Sequence, residues 1–590
     1  MKRSEQLVEN TWDLSMMYKP DHLDKDVDSL NGYVKELEVY KGKSMSKEDI
    51  VKALEITDEF YTLVDDMYTF FSHQQDTDFS NPDYVAIFNK FKGIYSDLAV
   101  KLSFLNPQIS ETDNAILQSI IDDSSLKQFH QTIQKIIDNK KRVLSVDEEK
   151  IISIFGYNAG AASNLYSAFT NSDLKFEDVK DKDNQSLPMN EAVYSNYIRS
   201  NDRDLRKNAY NCLFDTYGEY NQTLATNYIA KMKESFVGMK LRNYDSTLQR
   251  ALEPNMIPLY VYSNLLDAVE NNIQANYNYL DVRKKQMKLD DLHLYDVYVA
   301  MEADVEKKYP YEIGKQMCLE SLTVLGDEYI SLIKEAFDNR WIDVYENEGK
   351  RTGAYSGGSY RSVPYMLLNY TDELNDVFTL AHEIGHSMHS YYANKNNSYS
   401  DAGYTIFIAE VASTVNELIM INYLLEKEED VSIKRYLLNY LLEQFRTTVV
   451  RQSMFARFEL DSHKLVEENA PISNEVLNNL YYDINKKYFG DNIVLDENIK
   501  YEWSRIPHFY YNYYVYQYAT CFSMALNIVD RILNKEEGII EKYINFLKLG
   551  GSVYPIDALK TLDIDLSTPK VFEQAMVKYQ ETLDQYQALC

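Results

Sequence analysis

Residues that break helices are scarce along this chain, and their scarcity limits the possible fold more than any other feature. The 590 residues include only 19 glycines and 12 prolines. Apolar residues recur instead at intervals of three and four, which places them on one face of a helix. A clear example is the stripe formed by Phe60, Val64, Met67 and Phe71. We therefore expect a mainly α-helical protein.

One stretch departs from this pattern. Four of the glycines lie between Gly349 and Gly358. An extended, β-branched segment at residues 341–345 precedes them, and a largely apolar segment at residues 363–370 follows. Extended segments joined by glycine-rich turns are typical of a small β-sheet.

Charge and cysteine content exclude several classes of protein. Acidic residues number 91 against 61 basic ones, a formal charge of −30, which disfavours nucleic acid and anionic membranes as partners. Four scattered cysteines without a CxxC pair indicate reduced thiols rather than a disulfide framework. The first residues lack the apolar core of a signal peptide, and about 18 consecutive apolar residues occur nowhere. We expect a soluble, cytoplasmic protein.

The motif that carries chemistry is His382-Glu383-Ile384-Gly385-His386. Two histidines four residues apart on a helix project side by side from one face. Two imidazoles so placed can bind one metal ion, and Glu383 beside them can reach a water on that ion.

A catalytic zinc site also needs a third protein ligand. A third histidine in the longer form of the motif is absent, because Tyr392 stands at its position. A helical pattern resumes at Ile406, and Glu410 in its first turns is the predicted third ligand. Glu417, on the same helix face, is predicted to accept a hydrogen bond from a ligand histidine, an ordinary glutamate being the alternative. His389 is predicted to line the pocket or support a ligand.

These motifs resemble those of the thimet oligopeptidase-like zinc metallopeptidases, most closely the oligoendopeptidase F branch. FTLAHEIGHSMHS is similar to the family's metal-binding helix, and IAEVAST to its third-ligand segment, which implies Glu410. LYDVYV around Asp296, GAYSGG and LKLGGSVYPIDAL also look like family signatures, so the resemblance covers about residues 200–580. It implies two helical lobes enclosing a deep substrate channel, with a small β-sheet beside the HExxH helix. An N-terminal accessory domain, 1–195, would precede the catalytic domain, 196–590.

The segment HFYYNYYVYQY is similar to the family's substrate-binding stretch, where a histidine and tyrosines contact the peptide carbonyl and the developing oxyanion. The resemblance implies this role for His508 and Tyr513 first and Tyr516 next, with Tyr511 and Tyr514 as further candidates. A helix would put Tyr513 and Tyr516 on one side. Because the chain has 51 tyrosines, simple packing is the alternative.

The GAY segment supplies an edge strand in the family, and this strand pairs with the substrate backbone. The resemblance therefore implies substrate contacts for Gly353, Ala354 and Tyr355. Small residues let another backbone approach closely, and a free strand edge offers unpaired donors and acceptors. A plain hairpin turn is the alternative.

Taken together, these features predict a zinc-dependent oligoendopeptidase that hydrolyses internal bonds of short unstructured peptides. One zinc ion per chain would be held by the two motif histidines and Glu410, and Glu383 would act as general base on the zinc-activated water. Three alternatives stay open. They are a carboxypeptidase or dipeptidyl carboxypeptidase on the same zinc site, a peptide-binding protein without turnover, and a helical scaffold in which the motif arose by chance.

Overall fold

The computed structural model describes residues 2–302 and 307–590. Helices take up 71% of the chain and the sheets have only two or three strands, so the prediction of a mainly α fold is confirmed. The chain forms two compact units, each assembled from three separate segments. The first unit consists of Met1–Lys141, Glu306–Glu426 and Ile528–Ile564, and the second of Arg142–Val305, Lys427–Asn527 and Asp565–Cys590.

These units do not follow the order of the sequence. The predicted N-terminal domain, 1–195, contributes residues 1–141 to the first unit and residues 142–195 to the second. Its boundary with a catalytic domain, 196–590, is thus not a boundary between the units. As a division of the sequence it stays a prediction.

The helices fall into two sets along the chain. Those in the first half are α1 (Leu23–Glu38), α2 (Lys47–Thr77), α3 (Pro82–Leu102), α4 (Leu105–Ser110), α5 (Asn114–Ile121), α6 (Lys127–Asn139), α7 (Val146–Phe155), α8 (Ala161–Ala168), α9 (Glu191–Tyr197), α10 (Arg203–Glu219), α11 (Asn221–Leu241), α12 (Thr247–Leu252), α13 (Leu259–Asn271) and α14 (Gln274–Gln286). Those in the second half are α15 (Tyr311–Ser321), α16 (Asp327–Asp338), α17 (Leu374–Asn396), α18 (Tyr399–Ala402), α19 (Ile406–Lys427), α20 (Val431–Gln444), α21 (Arg451–Glu467), α22 (Asn474–Phe489), α23 (Tyr516–Leu533), α24 (Ile539–Leu549), α25 (Pro555–Lys560) and α26 (Lys570–Ala588).

Helix α2 shows how the sequence sets these elements. It starts at a capping box, in which the Ser46 hydroxyl accepts from the Asp49 N–H at 3.2 Å and the Asp49 carboxylate accepts from the Ser46 N–H at 3.0 Å. The four apolar residues of the predicted stripe, Phe60 to Phe71, are all buried. This stripe forms part of the core of the first unit.

The strands form two small sheets. In the second unit, β1 (Val179–Lys180) pairs with β2 (Ser186–Leu187). In the first unit, β3 (Ile342–Asp343), β4 (Tyr355–Gly357) and β5 (Tyr365–Leu367) form a three-stranded sheet in the order β3-β5-β4. The central strand β5 is parallel to β3 and antiparallel to β4. This sheet confirms the prediction made from the glycine-rich stretch, and β4 is one of its edges.

The register of the sheet shows which residue of β4 faces the free edge. Along a strand, the N–H and C=O groups of one residue point to one neighbouring strand, and those of the next residue point to the opposite side. In a directly opposed antiparallel pair, the two residues point these groups either both toward each other or both away from each other. In β5, Met366 donates its N–H to the carbonyl of Trp341 beside β3, so it faces away from β4. Its partner in β4 is Ser356. Ser356 therefore points its N–H and C=O to the free edge.

Helix α19 is the one helix in the described ranges that is long and apolar enough to cross a membrane by length and composition. Of its most apolar stretch, 56% is buried inside the protein. The helix also carries Glu410 and Glu417, and both side chains have partners within the fold. These features are typical of a core helix.

Candidate metal centre

The predicted motif lies on α17, which begins at Leu374 after the N-cap residue Glu373, and Asp376 in its first turn is the acidic residue of a capping box. The Asp376 carboxylate accepts hydrogen bonds from the N–H groups of Thr371 at 2.7 Å and Glu373 at 3.0 Å. One face of α17 is buried in the core of the first unit and consists of Leu374, Val377, Ala381, Ile384 and Met388. This packing leaves His382 and His386 together on another face.

Gly385, between the two histidines, lets α19 approach α17 closely. A Cβ atom at this position would lie 2.5 Å from the carbonyl oxygen of Ala412 and 2.5 Å from the Cα of Ser413. Any larger residue would therefore force the two helices apart. Because α19 begins at Ile406, its first turns bring Glu410 beside the histidines.

Three side-chain atoms converge at this point. The Nε2 atoms of His382 and His386 are 3.2 Å apart, and the Glu410 Oε2 lies 3.4 Å from the first and 3.3 Å from the second. Ligand atoms bound at about 2.0–2.1 Å around a tetrahedral ion are separated by about 3.3 Å. The three atoms thus have the spacing of a tetrahedral metal site, and they are the one such group in the described part of the chain.

Hydrogen bonds orient these ligands. The Nδ1 of His382 is hydrogen-bonded to the carboxylate of Glu417. Because an ionised carboxylate only accepts, Nδ1 carries a hydrogen, which leaves Nε2 as the nitrogen that would bind a metal ion. The Ser413 hydroxyl donates to the Glu410 Oε2 at 2.9 Å. The predicted partner of a ligand histidine, Glu417, is therefore in hydrogen-bonding contact with His382.

The electrostatics of the cluster favour a cation. Burial lowers the pKa of His382, but the carboxylates of Glu410 and Glu417 outweigh it and raise that pKa to about 10. Burial raises the pKa of Glu410, but its hydrogen bonds to His382 and His386 hold that pKa well below its usual range. A positive charge among these groups is thus strongly stabilised, and two imidazoles with one carboxylate are a common donor set for catalytic zinc.

Glu383 lies beside the cluster without binding to it. Its side chain is buried, and its Oε2 has no hydrogen-bond partner among the described residues. Burial raises its pKa, although the two neighbouring histidines act in the opposite direction. The residue next to the ligands is therefore a carboxylate with a free oxygen that can accept a proton.

His389 has a different environment from the two ligands. Its ring stacks on Tyr404 with centroids 3.7 Å apart, and neither ring nitrogen has a partner in the described ranges. Burial lowers the pKa of His389 to about 3, so the ring is neutral. It packs against the rings of Tyr404 and Phe546 inside the first unit, and its predicted role at the site stays a prediction.

The edge strand β4 is connected to α17 by a hydrogen bond of 2.8 Å between the hydroxyls of Ser356 and Ser387. Ser387 directly follows His386. The sequence predicted neither serine, because nothing local indicates that the two hydroxyls meet. Of the three residues predicted to contact the substrate from the edge strand, Tyr355 belongs to β4, whereas Gly353 and Ala354 precede it.

A cavity of about 320 Å³ lies beside this strand. Gly353 and Ala354 line it from the strand side, and Asp376 and Thr379 from α17. Thr379 stands one turn before His382 on the same helix. The cavity is thus close to both the edge strand and the helix that carries the metal ligands.

His508, Tyr513 and Tyr516 lie in the second unit. His508 is half-buried in a short 3₁₀ helix, Pro507–Tyr510, and burial lowers its pKa. Three tyrosine rings pack within about 6 Å of its ring, those of Tyr511, Tyr514 and Tyr518. This cluster was predicted only in part, because Tyr518 was not among the candidates.

The other two predicted tyrosines are in the core of the second unit, each 3% exposed. The Tyr513 hydroxyl is hydrogen-bonded to that of Thr247 at 2.7 Å. The predicted helical relation between Tyr513 and Tyr516 is wrong, because α23 begins only at Tyr516 and Tyr513 has a φ of +57°. Both rings pack against the ring of Tyr262, with centroid separations of 5.7 Å for Tyr513 and 5.1 Å for Tyr516. Their contact with a substrate stays a prediction.

Comparisons of the sequence with known proteins all point to one family of peptidases. The sequence model described as peptidase family M3 matches residues 196–578, and the one described as Oligopeptidase F matches residues 108–176. Oligopeptidase PepF of Bacillus subtilis is 40% identical over 100% of this chain and 88% of that protein.

Solved structures that resemble this chain point to the same family. A crystal structure of a Chlamydophila abortus protein, described only provisionally as a peptidase, is 32% identical with a TM-score of 0.94 and covers 100% of both chains. Oligoendopeptidase F from Enterococcus faecium is 31% identical with a TM-score of 0.75, covering 96% of this chain and 99% of that one. The chain therefore belongs to the oligoendopeptidase F branch of peptidase family M3 and is a metallopeptidase that acts on peptides.

Proposed function

We propose that the protein is a zinc-dependent oligoendopeptidase that cleaves internal bonds of short unstructured peptides. The observation that carries this proposal is the convergence of three ligand atoms, from His382, His386 and Glu410, at tetrahedral spacing. When bound there, one zinc ion would supply Lewis-acid polarisation of a water molecule and of the peptide carbonyl. Relatives named oligoendopeptidase F support internal cleavage over an exopeptidase activity.

Glu383 is the proposed general base. It would take the proton from the attacking water and deliver it to the departing amine. Its unpartnered Oε2 supports this role, because no other contact has to break first. Its raised pKa also favours holding the proton between the two transfers.

We propose that β4 binds the substrate backbone as an additional strand. Ser356 would exchange main-chain hydrogen bonds with the peptide, while Gly353 and Ala354 leave room for its close approach. Main-chain pairing does not depend on side chains, which suits an enzyme for varied sequences. The neighbouring cavity of about 320 Å³ would receive one substrate side chain.

His508 is the proposed donor to the oxyanion, with Tyr513 and Tyr516 as its predicted partners. The exposed ring of Tyr511 and the half-buried ring of Tyr514, packed against His508, make these two tyrosines candidates as well. An enclosed substrate channel, a cytoplasmic location and the absence of nucleic-acid or membrane partners complete the proposal. The formal charge of −30 supports the last point.

The substitution Glu383→Gln tests the proposed mechanism. The amide cannot accept the proton, so we expect kcat to fall by about 10²–10⁴-fold. Metal content and the Kd for an uncleaved peptide should stay within about twofold of wild type, because Glu383 binds neither. Peptide hydrolysis at a near wild-type rate would rule out this base. Glu426→Gln, at an exposed position of α19, is the matched control and should change nothing.

A further inference from the structure

Helix α2 carries a row of buried or half-buried polar side chains that the metal centre does not use. These side chains are those of Asp65, Asp66, His73 and Asp76. Asp65 and Asp66 precede His73 by eight and seven residues, and Asp76 follows it by three. This spacing places all four side chains on one face of the helix. Burying a carboxylate is unfavourable unless it is paired and hydrogen-bonded, so the partners of this row matter. Their hydrogen-bond and ion-pair partners outside α2 lie in the segment around β4.

Asp76 holds the start of the edge strand. Its carboxylate accepts a hydrogen bond from the Tyr355 hydroxyl at 2.7 Å and pairs with the Arg351 guanidinium at 3.3 Å. The Arg351 N–H also donates to the Asp76 carbonyl at 2.9 Å. Asp76 is 4% exposed, so its carboxylate is shielded from water, although the Arg351 side chain is 54% exposed.

His73 holds the end of the same strand. Its Nε2 is 3.2 Å from the Gly357 carbonyl oxygen, and since a carbonyl only accepts, Nε2 carries the hydrogen. The ring stacks on Trp12 at 5.0 Å and meets the Tyr355 ring edge-on at 5.4 Å. The imidazole is therefore fixed from both sides while it donates to the strand.

Two further carboxylates hold the turn that follows. Asp65 accepts from the Tyr360 N–H at 2.7 Å, and Asp66 pairs with Arg361 at 2.6 Å. The segment from Arg351 to Arg361 is thus attached to one helix at four points. The free-edge residue, Ser356, has none of these contacts.

We propose that α2 positions the edge strand β4 for the substrate, with His73 and Asp76 as the positioning residues. The inference rests on the proposed role of β4 in peptide binding. A three-residue edge strand has a ladder partner on one side only, so its own sheet holds it weakly. Anchoring Tyr355 and Gly357 from the side chains of α2 fixes the strand and leaves the main chain of Ser356 free to pair.

This arrangement predicts an effect on peptide binding rather than on chemistry. Neither residue contacts the three metal ligands or Glu383 in the described structure. Releasing the strand should therefore raise KM and leave kcat and metal content unchanged. A residue needed only for folding would instead lower the apparent kcat and the metal content, because less of the protein is active, and would leave the KM of the folded fraction unchanged.

The test is steady-state hydrolysis of an internally quenched peptide by the full-length protein. Asp76→Asn removes the charge that Tyr355 and Arg351 contact, and His73→Phe keeps the stacking on Trp12 but loses the donor. Each should raise KM about tenfold, the effect expected from losing a hydrogen bond of about 1.4 kcal/mol, with kcat within about twofold. His73→Gln, whose amide can replace the Nε2 donor, should return KM to within about threefold of wild type. Glu55→Gln, exposed on the same helix, should have no effect.

Ser356→Pro separates this inference from the proposed function, because proline removes the N–H at the free edge, where strands tolerate it. If Ser356→Pro raises KM but Asp76→Asn and His73→Phe do not, the positioning role is wrong and the proposed function stands. A normal KM for Ser356→Pro would rule out peptide binding by β4, and the inference with it. If the wild type cleaves nothing, the proposed function fails, and the Kd of the peptide for Asp76→Asn decides the inference. A loss of bound metal in either α2 variant would also overturn it.

Discussion

Glu417 contacts a predicted metal ligand, His382, without being a predicted ligand itself. Its carboxylate accepts the Nδ1 hydrogen of His382, which fixes the tautomer and the orientation of that ligand. It also contributes to the raised pKa of His382, because a negative charge nearby makes the imidazole more basic. Partners of this kind typically change metal affinity by about 10–100-fold.

We therefore expect Glu417→Gln to weaken metal binding by about 10–100-fold while the fold is retained. A competition titration with a chelator of known affinity measures this change. At saturating metal, kcat should stay within about threefold, since Glu417 does not touch the reacting atoms. Unchanged metal affinity would show that the hydrogen bond has no such role. Glu426→Gln on the same helix serves again as control.

At the scale of single residues, the sequence predicts those side-chain positions that follow from spacing along one helix. The interval between His382 and His386 is enough to place two ligand atoms 3.2 Å apart, because a helix repeats its face every four residues. The environment of Tyr513 could not be predicted in the same way. Its backbone has a φ of +57° and its hydroxyl is bonded to Thr247, 266 residues earlier in the chain. No local pattern contains that information.

At the scale of elements, the metal centre depends on how closely α19 approaches α17. Glu410 can reach the histidines because Gly385 leaves no side chain between the helices. The motif allows any residue at this position, so the sequence pattern alone does not explain the glycine. The glycine is explained by the backbone of Ala412 and Ser413, which would lie only 2.5 Å from an added Cβ.

Gly385→Ala should therefore lower metal affinity by at least about tenfold, because the added methyl group pushes Glu410 away from the other two ligands. Metal content after dialysis against a weak chelator measures the effect. Gly93→Ala is a matched control on α3, where an added Cβ meets nothing within 4 Å. That change should leave metal binding intact and stabilise the helix by up to about 1 kcal/mol. Equal metal affinity in both variants would contradict this account of Gly385.

For the small sheet, the sequence predicts its presence but not its register or its contacts with other elements. Glycine-rich turns between extended segments were sufficient to predict it near residues 341–370, and the structure confirms it. The identity of the free-edge residue, Ser356, required the register of β4 against β5. The attachment of β4 to α2 joins residues about 280 positions apart, as in the contact of His73 with Gly357. Such long-range contacts are set by tertiary packing rather than by local preference.

At the scale of the whole molecule, the sequence predicted a mainly helical protein with two lobes, but not which segments of the chain each unit contains. Each unit is made of three segments that are far apart in the chain. Residues 1–141 belong to the same unit as the predicted metal ligands. Within this region, the Trp12 N–H and the Arg3 guanidinium contact the carboxylate of Asp343 in β3. The N-terminal region is therefore part of the structure around the metal centre.

The central claim is that one zinc ion, bound by His382, His386 and Glu410, makes the protein an endopeptidase. The most direct measurement is hydrolysis of an internally quenched peptide blocked at both ends, before and after chelation and after zinc is restored, with the products identified by mass. We predict internal cleavage that stops with the chelator and returns with about one zinc ion per chain. Cleavage that survives complete removal of metal would contradict the claim. So would a zinc-loaded protein that cleaves peptides only when their C-terminus is free, because that result indicates an exopeptidase.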